Sequence, residues 1–312
     1  MANTQQQIDG IVKACDDAVL RFQRLIPSIE KQILDDVDLL IKSLEMDGTS
    51  ISNSVYNLRT IGQIQTKINQ IVRNPEYLRA VKQFTEAFDN LAKLLNEYGT
   101  TLSFKFTPSE LLNEIKSQSV RSVIQALTED GLRANIGNHI QDILRQNITS
   151  ASTYSALHSQ LSDFIRSNGK KEGALQRYTR QITTDAIQQF NGQYSQAITE
   201  HLGLKWNMYV GSLLTTSRQF CDLLVAKRYV YFLELPKIIT GDIDGHKCEI
   251  YVKTGLPNGM IAGTNEDNFE VYRGGYNCGH SYIPVAENFV PRKVRIETYN
   301  RLGIEHIDGE EV

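Results

Sequence analysis

Three of the four cysteines and two of the six histidines gather in one stretch of the 312-residue chain. Thiolate and imidazole are the ligands that a closed structural zinc site prefers. The candidate zinc ligands are Cys221, Cys248, Cys278 and His280, with His246 as an alternative ligand. Their spacing matches none of the zinc-finger patterns. The alternative interpretation is therefore a set of buried, reduced cysteines around a hydrogen-bonded histidine.

The same residues also allow nucleophilic chemistry. Cys221 would be the nucleophile and His280 its general base, as in thiol hydrolases, where the base raises the fraction of reactive thiolate. The sequence shows no oxyanion element, and Asp222 beside Cys221 would disfavour the thiolate. No Walker loop, GxSxG elbow, HExxH helix or dinucleotide fingerprint is present. We find no complete catalytic constellation and expect no enzyme.

Two short motifs carry most of these residues. The first is Thr-Thr-Ser-Arg-Gln-Phe-Cys at 215–221, and the second is Gly-Gly-Tyr-Asn-Cys-Gly-His at 274–280. Alternating apolar and polar residues around the single tryptophan, Trp206, predict a half-buried strand before the first motif. We expect the two motifs to meet in space.

Further side chains of the motifs have expected roles. Arg218 suits either bidentate binding of a phosphate or carboxylate, or bridging to backbone carbonyls or a nearby acid. Without a metal, the packing of Trp206, Phe220 and Tyr276 would carry the site, with Arg218 and His280 as hydrogen-bonding links. Asn277 belongs to the same glycine-rich turn.

The order of these features resembles the Mu F-like head morphogenesis proteins, the minor head proteins of tailed bacteriophages. That family has a helix, a tryptophan strand, an Asp/Thr-x-x-Arg-x-x-Cys turn, an insert, Gly-Tyr-Asn-Cys-Arg-His and Pro-Val. The matching positions are Trp206, 215–221, 275–280 and 284–285, within a resemblance that covers residues 173–290. The chain departs from the family at Gly279, where the family has Arg, and at 182–185, where Ile-Thr-Thr-Asp replaces Ala-Arg-Thr-Glu.

The resemblance implies a virion structural protein of low copy number, associated with the portal or the capsid interior. Its role would lie in head assembly and in DNA packaging or delivery, in the virion head after assembly in the host cytoplasm. Implied partners are the portal and the major capsid or scaffold proteins, with self-association and a DNA contact as further candidates. Two alternatives come from other classes: a metal- or thiol-dependent hydrolase or nuclease effector carrying such a module, and a cytosolic helical adaptor.

Composition narrows the class of protein. The net charge of −3 and the absence of a basic block predict no broad phosphate-binding surface, so any DNA contact would be local. An apolar content of 41% is enough for a folded core. No apolar run long enough for a membrane span and no signal-peptide pattern is found, which predicts a cytosolic setting without membrane partners. Four cysteines are too few for a disulfide scaffold.

Helical periodicity dominates the elements that would position the site. Apolar steps of three and four from Ile8 to Leu44 predict a long helix restarted at Pro27, whose stripe is either a docking surface or an ordinary bundle face. Further helices are expected up to Leu202, apart from a short β-rich stretch at 100–106. Extended runs are then predicted at 205–210, 229–235, 248–253 and 269–273.

These patterns predict a mainly α N-terminal helical bundle followed by an α+β C-terminal domain with a long helix and a small mixed or antiparallel sheet. We expect a helical bundle for assembly contacts at 1–172, an α+β domain at 173–290 and a polar tail at 291–312. The boundary is placed at the linker-like stretch 167–173. The tail is expected to be mobile or docked on a partner.

Overall fold

The computed structural model describes residues 2–166 and 171–305. It confirms the predicted fold class, because a long helical region is followed by an α+β region with small antiparallel sheets. Residues 167–170 of the predicted linker and residues 306–312 of the predicted tail lie outside the described residues.

The first part of the chain forms helices joined by short turns. They are α1 (Ala2–Gln23), α2 (Ile26–Lys42), α3 (Val55–Thr60), α4 (Gln63–Val72) and α5 (Pro75–Leu102), with strands β1 (Met46–Asp47) and β2 (Ser50–Ile51) between α2 and α3. Pro27 lies in the first turn of α2, as the predicted restart requires. Proline is tolerated there because the first-turn N–H has no helical partner to lose.

Helix α5 continues into the stretch that was expected to be β-rich, so that prediction is wrong. The hydroxyls of Thr100 and Thr101 donate to carbonyls four residues earlier. The chain then folds back and places the Phe106 ring against Gly99, where a Cβ would lie 2.6 Å from a ring carbon. Packing overrides the β propensity of this segment.

The helical region ends with five more helices. They are α6 (Glu110–Leu127), α7 (Glu129–Leu132), α8 (Asn138–Thr149), α9 (Tyr154–Ile165) and α10 (Ala174–Leu202), with a π-helical turn at Arg133–Gly137 between α7 and α8. Thr153 caps α9, because its hydroxyl accepts from the Ala156 N–H.

The apolar stripe predicted from Ile8 to Leu44 is buried along most of its length. The α2 members of the stripe are at most 5% exposed: Ile26, Ile29, Ile33, Val37 and Leu40. Burial of this extent identifies the stripe as a core face of the fold, which was the second of its two interpretations.

Short strands and helices make up the rest of the chain. The strands are β3 (Trp206–Val210), β4 (Tyr229–Tyr231), β5 (Asp242–Ile243), β6 (His246–Lys247), β7 (Ile250–Tyr251), β8 (Leu256–Pro257) and β9 (Ser281–Val285). The helices are α11 (Gln219–Lys227), α12 (Leu235–Ile239), α13 (Phe269–Tyr272) and α14 (Arg292–Leu302), with single 3-10 turns at Phe232–Glu234 and Glu287–Phe289.

The largest sheet has three antiparallel strands in the order β4-β3-β9. The central strand is the predicted tryptophan strand, and Trp206 pairs with Tyr231 on one side and with Val285 on the other. Strand β9 contains Pro284, which has no N–H to donate, and it forms an edge of the sheet. The Pro284 carbonyl accepts a 2.6 Å hydrogen bond from the hydroxyl of Tyr98 on α5.

The other extended runs are only partly correct. The run at 229–235 is a strand only to Tyr231, and the run at 248–253 is a strand only at Ile250–Tyr251. The run at 269–273 is wrong, because Phe269–Tyr272 forms helix α13. Strand β9 is not among the predicted extended runs.

Part of the predicted polar tail is the helix α14. Its Tyr299 packs against Trp206, with the ring centroids 5.9 Å apart. The Trp206 indole N–H donates to the Tyr299 hydroxyl over 3.2 Å, and that hydroxyl donates to Glu287. Arg301 of α14 forms an ion pair with Asp244 at 2.9 Å.

The chain folds into two compact units, and each unit is made of segments that are not consecutive in the sequence. Unit 1 comprises Met1–Asp16, Phe88–Ser117 and Thr184–Val312, and unit 2 comprises Asp17–Ala87 and Gln118–Thr183. The consecutive bounds 1–172, 173–290 and 291–312 stay a prediction, because compactness alone does not test which segments fold independently. Among the described helices, none combines the length and the apolar character that a membrane span needs.

Candidate metal centre

Three elements of unit 1 position the cysteine and histidine side chains. Strand β3 carries Tyr209 near its end, and the first turn of α11 carries Cys221. The second motif forms the loop that leads into β9 and carries Cys278 and His280. Because β9 pairs with β3, the loop is brought to the end of the central strand beside α11.

The two motifs meet, as the sequence predicts, and their reactive atoms form one cluster. The Sγ atoms of Cys221 and Cys278 are 4.0 Å apart, and Cys278 Sγ lies 3.5 Å from His280 Nδ1. One ligand atom from each of these three residues lies within 4.8 Å of the others. All three side chains are buried.

Cys248 and His246 do not join this cluster among the described residues. Cys248 is buried elsewhere in the same core and lines a cavity of about 190 Å³ together with Arg218 and Glu249. His246 is exposed on β6, where it pairs with Ile243. The structure thus brings together three of the five candidate ligands.

Arg218 links the two motifs. Its guanidinium donates to the carbonyl of Gly274 over 2.6 Å and also to the carbonyl of Tyr276. These bonds give Arg218 the second of its expected roles, a bridge to backbone carbonyls. Five donors in a planar fork suit arginine to holding two carbonyls of one loop.

Gly274 lies against the cluster. A Cβ at this position would be 2.9 Å from Cys221 Sγ and 3.0 Å from Tyr209 Oη, and still nearer to Cys278 Sγ. Because real Cβ atoms almost never come so close to other atoms, the backbone can pass the cluster only without a side chain. Gly211 serves in the same way, since a Cβ there would lie 2.7 Å from the imidazole of His280.

Arg273 is a functional residue that the sequence reasoning missed. It is 1% exposed, and its guanidinium donates to the carbonyls of His280 and Glu270 and to the carbonyl and side-chain oxygen of Gln188. It thus connects the loop, α13 and α10. In the sequence, the position of Arg273 directly before the Gly-Gly pair is the only feature that draws attention to it, and that position does not indicate that the side chain is buried.

Asp185 adds a second link between α10 and the loop. Its carboxylate accepts a hydrogen bond from the backbone N–H of Asn277. Asn277 has a φ of +56°, a conformation that asparagine tolerates better than most residues. This contact gives Asp185 a structural role.

The remaining motif residues have mixed positions. Trp206 and Phe220 are buried, and the Phe220 ring packs on Phe269 with the centroids 6.3 Å apart. Tyr276 is 51% exposed, so it does not share the packing that was expected of it with Trp206 and Phe220.

The two thiols differ in their acidity. The hydrogen bond to Cys278, together with burial, raises the pKa of Cys221 well above its ordinary value. The hydrogen bond from Cys221, helped by His280 and Arg273, lowers the pKa of Cys278. Cys221, the predicted nucleophile, is therefore held as a buried thiol, whereas a nucleophile needs an accessible thiolate.

Comparisons of the chain with protein-family models, with curated proteins and with solved structures gave no match. The site is therefore interpreted from its own geometry.

The donor set fits a metal ion. Ligands at tetrahedral angles around zinc lie about 3.8 Å apart for two sulfurs and about 3.6 Å apart for sulfur and nitrogen, given the usual bond lengths. The observed separations are 4.0 Å and 3.5 Å. Cys221, Cys278 and His280 could together hold a metal ion.

The contact at Gly274 predicts a site-specific loss of stability. We expect Gly274→Ala to lower the free energy of unfolding by about 2 kcal/mol or more, because the new methyl group overlaps both sulfurs. Gly279→Ala is the matched control, since a Cβ there meets nothing within 4 Å. Chemical denaturation of both variants measures the difference. Equal stability of the two variants would contradict the close approach at Gly274.

Glu270 predicts a pH dependence of stability. Burial raises the pKa of its carboxyl from 4.5 to about 7, opposed by hydrogen bonds from Thr199 and Asn207. Because the pKa of Glu270 is higher in the folded chain than in the unfolded chain, the contribution of this carboxyl to the free energy of unfolding is fully present below about pH 4.5. That contribution is lost as the pH rises through 7. We expect Glu270→Gln to flatten the fall in unfolding free energy between pH 5 and 8 by up to about 3 kcal/mol.

The control for this measurement is the exposed residue Glu266, changed to Gln. Denaturant titrations at pH 5, 6, 7 and 8 on the three proteins provide the comparison. A Glu270→Gln profile parallel to that of the unchanged protein would show that Glu270 does not control this pH dependence.

Proposed function

We propose that this chain is a phage virion structural protein of the Mu F-like minor head type, bound to the portal or the capsid interior and acting in head assembly and in DNA packaging or delivery. The observation that carries the proposal is the meeting of the two motifs. Residues about sixty positions apart in the sequence form one closed unit through Arg218 and the buried Cys221–Cys278 contact. A motif pair that builds a buried structural link suits an assembly protein better than an enzyme.

Burial of the cluster weakens the hydrolase and nuclease alternative. Cys221 is 3% exposed and His280 is 6% exposed, so the nucleophile and the base that this alternative needs are both largely shielded from solvent. The raised pKa of the Cys221 thiol acts in the same direction. Among the described residues of unit 1, no contact favours that alternative.

We propose zinc as the metal of the cluster, because two thiols and an imidazole are typical ligands of structural zinc. Cys221, Cys278 and His280 would hold it. The bound ion would supply a cross-link between α11 and the loop before β9, and its binding energy would add to the stability of unit 1.

The proposed partners are the portal and the major capsid or scaffold proteins. Self-association and a local DNA contact remain further proposals. The burial of the Ile8–Leu44 stripe removes the surface from which self-association was first inferred.

Virion content tests the proposed function. We expect the chain to be found in virions purified from the phage that encodes it, in few copies, and to cross-link to the portal within the particles. Quantitative mass spectrometry of particles and of cross-linked peptides measures both. A chain absent from particles that cleaves DNA, with cleavage lost in Cys221→Ser, would establish the effector alternative. Absence from particles without any such activity would favour a cytosolic adaptor.

Metal analysis tests the zinc. We expect about one zinc per chain in purified protein, and its loss in Cys278→Ser, because that change removes one of the buried ligands. Cys248→Ser and His246→Ala are matched controls that should keep the metal, since neither residue reaches the cluster. Elemental analysis of the four proteins decides the matter. Zinc lost equally in the controls, or absent from the unchanged chain, would contradict the assignment.

A further inference from the structure

Tyr209 is the one further polar side chain that reaches both sulfurs of the cluster among the described residues. It is fully buried on β3, and its hydroxyl lies 3.4 Å from Cys221 Sγ and 3.6 Å from Cys278 Sγ. Its ring stacks on the imidazole of His280, with the centroids 5.4 Å apart and the planes at 21°. Sequence reasoning assigned this tyrosine no role beyond the strand.

We infer that Tyr209 Oη is the fourth ligand of the site and completes a closed tetrahedral set with Cys221, Cys278 and His280. The inference rests on the zinc proposed above. A sulfur and an oxygen bound to one zinc lie about 3.6 Å apart at tetrahedral angles, given Zn–S bonds of about 2.3 Å and Zn–O bonds of about 2.1 Å. Both observed sulfur–oxygen separations agree with that value.

The distances between the donor atoms suit an ion of the size of zinc. Four of the six edges of the tetrahedron measure 3.4, 3.5, 3.6 and 4.0 Å. The edge between Cys221 and His280 is at most 4.8 Å. A regular tetrahedron with edges of about 3.6 Å has its centre about 2.2 Å from each corner, which is close to the bond lengths that zinc adopts with sulfur, nitrogen and oxygen.

The other candidates for a fourth ligand do not reach the cluster. Cys248 and His246 lie outside the cluster, and no further Cys, His, Asp or Glu of the described residues joins it. Structural zinc sites are almost always four-coordinate, and a buried site leaves little room for water. Tyr209 is therefore the group that the fold itself supplies.

Arg273 gives this ligand set a charge balance. Two thiolates and one phenolate around Zn²⁺ carry a net charge of −1, and their protons leave to solvent when the ion binds. Arg273 is buried and interacts electrostatically with Cys278 and Tyr209, and more weakly with Asp185. Its charge of +1 offsets the site, whereas a buried charge without compensation would be costly.

Ultraviolet difference spectroscopy of the full chain tests the inference. Metal-free protein, prepared by chelation, is titrated with Zn²⁺ at pH 7. We expect one equivalent of zinc to produce the absorption band of one tyrosinate per chain. The spectrum of the metal-free protein at the same pH is the baseline. The band should be lost in Tyr209→Phe and kept in Tyr282→Phe, a tyrosine equally buried in the same core.

Affinity supplies the second readout. Competition with a chromogenic chelator should show a zinc dissociation constant raised about 10-fold or more in Tyr209→Phe and unchanged in Tyr282→Phe. Zinc binding to the unchanged chain without a tyrosinate band would overturn the role of Tyr209 and leave the zinc itself standing. Failure of the unchanged chain to bind zinc would instead contradict the proposal that the cluster holds this metal. The spectrum of the unchanged chain decides the question even if Tyr209→Phe does not fold.

Discussion

The α+β region depends on the close approach of the 274–280 loop to the first turn of α11. Gly274 permits the approach because it has no side chain, and Arg218 holds it by binding two carbonyls of the loop. The sulfur atoms of Cys221 and Cys278 then come within 4.0 Å, and the loop enters β9 in register with the central strand. Each of these features requires the others. A loop shifted outward by the width of one methyl group would separate the sulfurs and misalign the edge strand.

Unit 1 contains two buried cationic side chains, and their surroundings differ. Lys227, whose side chain is 6% exposed, pairs with Glu234 at 2.9 Å and with Asp244 at 2.8 Å, so its charge is matched by carboxylates. Arg273 is buried more deeply and is surrounded by carbonyl oxygens, which satisfy its N–H groups without neutralising its charge. Among the groups that interact electrostatically with Arg273 are a thiol and the phenol of the cluster. The zinc-bound cluster proposed above, with its net charge of −1, would offset the charge of this arginine.

Local patterns explain what the sequence could predict. Trp206 and its neighbours alternate in polarity, and the helices repeat every three to four residues, so fold class and most helices follow from periodicity. The meeting of the motifs followed from their order. Residues whose place is set by distant partners could not be found in this way: Phe269–Tyr272 is rich in β-forming residues, yet Arg273 draws it into a helical turn. Pro284 makes β9 hard to recognise from the sequence. Proline is found in strands mainly at the edge of a sheet, and the sequence alone does not show that β9 is an edge strand. Cys248 resembles the cluster cysteines in sequence, and only the folded chain separates it from them.

The order of strands also has a consequence for how the chain folds as it is synthesised. Strand β3 can pair with β4 once residue 231 is available, but its other edge must wait for β9, more than fifty residues later. Until then the central strand of the sheet exposes a row of unpaired backbone groups, which is the kind of edge on which chains aggregate. The intervening segment contains two hairpins made of two-residue strands, together with short helical turns, and none of these belongs to the three-stranded sheet. The nascent protein therefore passes through a half-built sheet, and its vulnerability at that stage ends only when the last strand docks.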